Sequence, residues 1–144
     1  MNNMKFTVEE ALSFSKEGRV EEWVHLFLNS VGDNVPFSEG LKLERRYWTG
    51  PLLIKFDKLR RCCGPEPEME YFNEPEGWEA EISKFQKLIR SGWEMPPLIA
   101  QHEGNDIVVN DGNHRMEALK REGIEECWVI IWNTHYQDDI SDFK

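Results

Sequence analysis

The sequence predicts an α+β fold in which a small mixed β-sheet is covered by helices. Three observations predict it. Two short apolar runs, residues 96–100 and 107–110, flank a turn near His102-Glu103-Gly104-Asn105-Asp106, the pattern of a hairpin. A third run, residues 127–132, is apolar throughout, as a strand covered on both faces must be. Elsewhere, apolar residues recur at spacings of three and four, the period of amphipathic helices.

Length and composition bound the rest. The 144 residues suit a single domain, with residues 1–50 as a helical N-terminal extension and 51–135 as the core. A hydrophobic share of 40%, with six Trp and eight Phe, argues for a packed globule rather than disorder. No apolar run approaches the ~18 residues of a membrane span, and the start of the chain leads into an acidic amphipathic segment rather than a signal core. Cys62, Cys63 and Cys127 make an odd set with two adjacent members, a poor disulfide framework. A cytoplasmic protein without membrane contact is expected. The net charge of −10 opposes the DNA backbone, so direct DNA binding is not expected, although residues 55–61 carry four basic groups.

In chain order, Thr7 with Glu10 three residues on forms a capping box for a helix with Val8, Leu12 and Phe14 on its apolar side and Gly18 at its end. Residues 20–31 form a second helix with Trp23, Val24, Phe27, Leu28 and Val31 as its packing stripe. A short helix is expected over 41–46 and a strand over 51–56, after which Asp57 caps a short helix carrying Leu59. Residues 74–77 read as a linker or turn, and 78–90 as a helix with Ile82, Phe85, Leu88 and Ile89 inward. After residue 132 an acidic tail, 137–142, closes the chain.

Two stretches carry chemistry. In the loop from Cys62 to Tyr71, Glu66, Glu68 and Glu70 alternate, so an extended backbone would point all three one way. They are candidates for a divalent metal site or a base, against the plainer reading of acidic decoration on a surface loop. The adjacent thiols read as packing, because adjacent cysteines pair only with strain.

The second stretch is a strand–turn–helix over 107–123, through Asp111-Gly112-Asn113-His114-Arg115. The first N–H groups of a helix lack partners within it and lie at the positive end of its dipole, so an anion is the natural guest. Gly112 lets the backbone approach a ligand, and His114 and Arg115 add donors, Arg as a planar fork matched to phosphate. Ordinary turn chemistry and a solvated His-Arg pair remain the alternative.

This word, continued by Glu117-Ala118-Leu119-Lys120-Arg121 and preceded by a Pro96-Pro97 strand, resembles the ParB/sulfiredoxin-like superfamily over about the last half of the chain. The resemblance implies a turn that holds the phosphates of a nucleotide, with Gly112, Asn113, His114 and Arg115 as contacts and Asp111 handling magnesium or a proton. Where sulfiredoxin has its catalytic cysteine this chain has Asn113, which removes the thiolate chemistry. The helix-turn-helix domain of partitioning ParB proteins is not expected in the short stretch after residue 132. The ADP-dependent serine kinase branch has an Asp-Gly-His-type turn, to which Asp111-Gly112-Asn113-His114 is similar without being identical.

The reading that follows is a nucleotide-binding domain, extended to magnesium-dependent phosphoryl transfer or nucleotide hydrolysis. Asp111, His114 and Glu68 are its candidate catalytic groups, Asp111 and Glu70 its metal ligands, and Mg2+ with a nucleoside di- or triphosphate its implied cofactors. A non-catalytic sensor or protein-interaction domain, with exposed Trp residues at its interface, is the alternative. A ParB-like nuclease is the third.

Overall fold

The computed structural model describes residues 4–134. Three helices come first, α1 (Val8–Lys16), α2 (Val20–Leu28) and α3 (Val35–Leu41). They are followed by β1 (Tyr47–Lys55), a 3-10 turn (Phe56–Lys58), β2 (Leu59–Arg61) and the short pair β3 (Cys63–Gly64) and β4 (Tyr71–Phe72). Then come α4 (Pro75–Arg90), β5 (Leu98–Glu103), β6 (Asp106–Asp111), α5 (Asn113–Arg121) and β7 (Glu126–Asn133).

Five strands form one mixed sheet in the order β1-β7-β5-β6-β2. β1 runs antiparallel to β7, β7 parallel to β5, β5 antiparallel to β6, and β6 parallel to β2. The expected hairpin is β5–β6, with Glu103 opposite Asp106 at its turn. Side chains alternate across a strand, so the two faces build two cores. Leu98, Ala100, Ile107, Val109, Val129 and Ile131 pack with Met116 and Leu119 of α5. Ile99, Ile130 and Trp132 meet Trp23, Val24, Phe27, Leu28 and Leu41 of the N-terminal helices. The helices expected as an extension therefore cover the second face of the sheet, which is why residues 127–132 are apolar without alternation. On the outside of α5, Trp78 and Ile82 of α4 close on Ala118.

Several elements depart from expectation. α2 stops at Leu28 because the Gly32 N–H turns back to the Phe27 carbonyl at 2.8 Å, and Val31 is left 69% exposed. The third helix spans Val35–Leu41 rather than 41–46: Pro36 sits in its first turn, where a missing N–H costs nothing. Asp57 caps no helix. It lies inside the 3-10 turn, and Leu59 opens β2 as part of the core. The supposed linker 74–77 is the start of α4, with the Glu74 carboxylate accepting from the Glu76 and Gly77 N–H groups at 3.0 and 2.8 Å. Leu88, expected inward on α4, is exposed. On α1 the buried residue is Ala11, while Val8, Leu12 and Phe14 are half-buried. The tail at 137–142 lies outside the described residues. Among the described residues no helix is long and apolar enough to cross a membrane.

Candidate functional site at the head of the fifth helix

The β6–α5 junction stands where the sequence places it. Gly112 occupies the N-cap of α5 with φ +105°, a conformation that side chains resist, and a Cβ there would lie 2.5 Å from Leu98 Cδ2. No side chain caps this helix, whereas Thr7 caps α1 and Glu74 caps α4. The first N–H groups of α5 thus have no side-chain acceptor at the positive end of the dipole.

A cavity of about 340 Å3 opens on this helix end, lined by Asp111, Gly112, His114, Arg115 and, from α4 and the segment after it, Lys84 and Trp93. Phe85, also on the wall, stacks with Trp93 at 5.7 Å between ring centroids and 11° between planes. His114 lies with its ring centroid 4.5 Å from that of Trp78. Burial is the main reason its pKa falls below the ordinary 6.5, and the positive charges of Lys84 and Arg61 add to the effect. Lys84 pairs loosely with Glu81 at 3.4 Å, and both side chains are about half exposed. The cavity wall therefore carries two basic side chains, Lys84 and Arg115, and two acidic ones, Glu81 and Asp111.

The other predicted contacts are used differently. Arg115 is buried, and its fork points into the protein: one nitrogen donates to the Pro96 carbonyl at 2.7 Å, the other to Asp111 Oδ2 at 3.0 Å. Desolvation pulls its pKa down, offset chiefly by the Asp111 charge. Asn113 is buried too. Its Oδ1 accepts from the Cys62 N–H at 3.0 Å, and its Nδ2 donates to the Val109 carbonyl at 3.0 Å and to Cys62 Sγ at 3.4 Å. Both side chains brace the turn rather than reach for a ligand. Sequence spacing places them at the helix start but cannot show that their partners lie in the 62 and 96 segments.

The carboxylates do not converge. Asp111 Oδ2 is held by Arg115 and Oδ1 accepts from Asn34 Nδ2 at 3.2 Å. Glu68 and Glu70 are exposed and line a separate cavity with Arg60 and Arg61. Glu66 turns away from both to pair with Arg61, which holds its carboxyl below the usual range. Alternation of the three glutamates fails because the loop is bent, not extended, between β3 and β4. Among the described residues no group of three or more His, Cys, Asp or Glu is disposed to hold a metal ion. The pair Asp111 and Glu70 does not fit magnesium: one carboxylate is already spent on an internal cation and an amide, and the other faces a different cavity. The residue that sequence reasoning missed is Lys84. Its position on α4 gave no signal, because only the packing of α4 on α5 brings it to the turn.

The architecture defines an α+β protein whose mixed sheet is flanked by helices, with a helix N-terminus as its candidate anion site. No protein-family model matches the sequence, and no curated protein does. Among solved structures the fold is similar to that of a pNOB8-like ParB N-domain, at 19% identity over 68% of this chain and 34% of that one, TM-score 0.44. It is similar to sulfiredoxin from Arabidopsis thaliana at 20% identity over 56% of this chain and 84% of that one, TM-score 0.42. A free serine kinase in complex with AMP matches at 20% identity over 61% of this chain and 32% of that one, TM-score 0.41. The matched part of this chain thus spans about a third of the length of the ParB and kinase chains. What each of these proteins binds is a property of that protein.

Proposed function

We propose that the protein binds a nucleoside di- or triphosphate in the cavity at the head of α5. One observation carries this reading: the uncapped N-terminus of α5 opens into a cavity that also presents His114 and Lys84 beside the stacked rings of Phe85 and Trp93. The helix N–H groups, the Lys84 ammonium and an N–H of the neutral His114 ring take the phosphates. The aromatic pair offers a face on which a base stacks. Arg115 and Asp111 act as positioning residues that hold the turn. Phosphate entry displaces the exposed Lys84–Glu81 pair, a cost of about 0.2–1 kcal/mol, which a charge-assisted contact to phosphate offsets.

The test is thermal unfolding with ATP, ADP, CTP and GTP, each with and without magnesium. A ligand at a hundredfold excess over its Kd raises stability by about 2.7 kcal/mol. Lys84→Ala, which removes an exposed side chain, is expected to keep the fold and lose about 1.5–3 kcal/mol of binding. A wild-type midpoint that no nucleotide moves ends the proposal. Release of ADP or phosphate in the same samples separates a phosphotransferase or nucleotide hydrolase from a sensor that binds and stops.

A further inference from the structure

The vicinal thiols lie outside the cavity just described. Consecutive residues of a regular strand point to opposite faces. Here the extended chain bends at Cys62, between β2 and β3, and both cysteines line one cavity. Cys62 is clamped at three points. Its N–H donates to Asn113 Oδ1 at 3.0 Å, its carbonyl accepts from the Tyr71 N–H at 3.0 Å, and its sulfur receives Asn113 Nδ2 at 3.4 Å. Asn113 is the first residue of α5, so this sulfur sits near the positive end of a helix. Both cysteines line a cavity of about 820 Å3, with Glu70, Tyr71, Asn73 and Asn110 also on its walls, which gives a small oxidant access.

The Asn113 amide, 3.4 Å from Cys62 Sγ, singles out Cys62 of the two sulfurs. The thiol of Cys63 and the amide of Asn113 donate to Cys62 and bring its pKa down to about 7, against burial and the Glu70 charge. The same contact pushes the Cys63 thiol up, with burial and Asp111 adding to it and Arg61 opposing. Cys127 is the internal contrast. It lies buried in the core, and burial pushes its thiol up to about 12.

We propose that Cys62 and Cys63 form a redox-active dithiol that takes a hydroperoxide as oxidant, with Cys62 as the attacking sulfur and Cys63 as the resolving one. The Cys62 thiolate attacks the peroxide oxygen, the O–O bond breaks, and the leaving oxygen takes up a proton. For hydrogen peroxide, the products are the Cys62 sulfenic acid and water. Cys63 then attacks the Cys62 sulfur, the S–O bond breaks, and the departing hydroxide leaves as water with the Cys63 proton. Two thiols have lost two electrons and two protons, and one peroxide has become two waters. Adjacent Cα atoms are about 3.8 Å apart across a trans peptide, closer than disulfides prefer, so the product is strained and small thiols reduce it readily. The site is thus reversible.

The experiment treats reduced protein with hydrogen peroxide at pH 7, denatures it with an alkylating agent and maps the peptides by mass. The Cys62–Cys63 peptide is expected to lose two hydrogens and resist alkylation, while Cys127 is alkylated in full and dithiothreitol reverses the change. In Cys63→Ser, dimedone is expected to trap a sulfenic acid on Cys62, and the folded protein should react severalfold faster than the urea-unfolded chain. Both thiols still free after peroxide, Cys127 oxidised as fast as Cys62, or equal rates in folded and unfolded chains would each overturn the proposal.

Discussion

Arg115 shows what a single side chain does when its spacing suits two roles. The planar fork that matches phosphate also matches a carbonyl and a carboxylate, and here it spans the Pro96 carbonyl and Asp111 with 7% of the side chain exposed. Its removal should therefore read out in stability first. Arg115→Ala leaves the Asp111 carboxylate, 12% exposed, beside an unfilled hole, and urea unfolding is expected to show a loss of about 3–5 kcal/mol. Arg115→Lys keeps a charge but not the fork, so it should fall between wild type and alanine. An alanine variant as stable as wild type would show that the fork does not brace the turn. At this scale the sequence placed Asp111 to Arg115 together at the junction, as the structure has them, yet Asn113 and Arg115 face inward. Only Gly112 was legible outright, because a positive φ and a close backbone approach are demands that a glycine in an Asp-Gly turn announces.

Helices were legible where their caps use familiar residues. Thr7 and Glu10 form a reciprocal arrangement: the Thr7 hydroxyl accepts from the Glu10 N–H at 3.2 Å, and the Glu10 carboxylate accepts from the Lys5 and Phe6 N–H groups, each at 3.0 Å. The same carboxylate accepts from the Trp23 indole at 2.8 Å, so this cap also ties α1 to α2. α4 hid its start because Glu is an unusual N-cap and Pro75-Glu76-Gly77 has the composition of a turn. Pro in the first turn is nonetheless favourable, and the Glu74 carboxylate meets two N–H groups, which draw its pKa below the usual range. Glu74→Ala is expected to lower stability and helix content at the first turn, measured by urea unfolding and amide exchange at Gly77. Unchanged protection at Gly77 would mean that solvent caps the helix equally well. Strands β1, β5, β6 and β7 were read by type, whereas β2 was expected as a short helix and β3 and β4 as loop; β1 also begins at Tyr47 and pairs across a bulge between Thr49 and Leu52 that no local pattern announces.

The whole molecule responds to pH through shifts of one sign at the acidic end. Burial is the largest cause that holds both His25 and His114 below the ordinary 6.5. Glu66, Glu79 and Glu122 lie below the ordinary 4.5 because Arg61, Arg121 and Arg90 donate to them. In every case the unfolded chain takes up a proton at higher pH than the folded one, so the unfolded state binds more protons and stability falls as pH falls. The histidine contribution is full above 6.5 and is lost as the pH drops through the lower folded values. The carboxylate contribution follows below 4.5. Relief of the net charge of −10 acts the other way, but it is spread over the surface and screened within about 8 Å at 0.15 M salt. Urea midpoints at that salt should therefore decline from pH 7.5 to 5.5, and the double variant His25→Gln, His114→Gln should flatten that limb while leaving the steeper fall at lower pH. A midpoint that rises on acidification would mean that long-range repulsion outweighs the buried histidines, and a wild-type slope in the double variant would assign the limb to other groups.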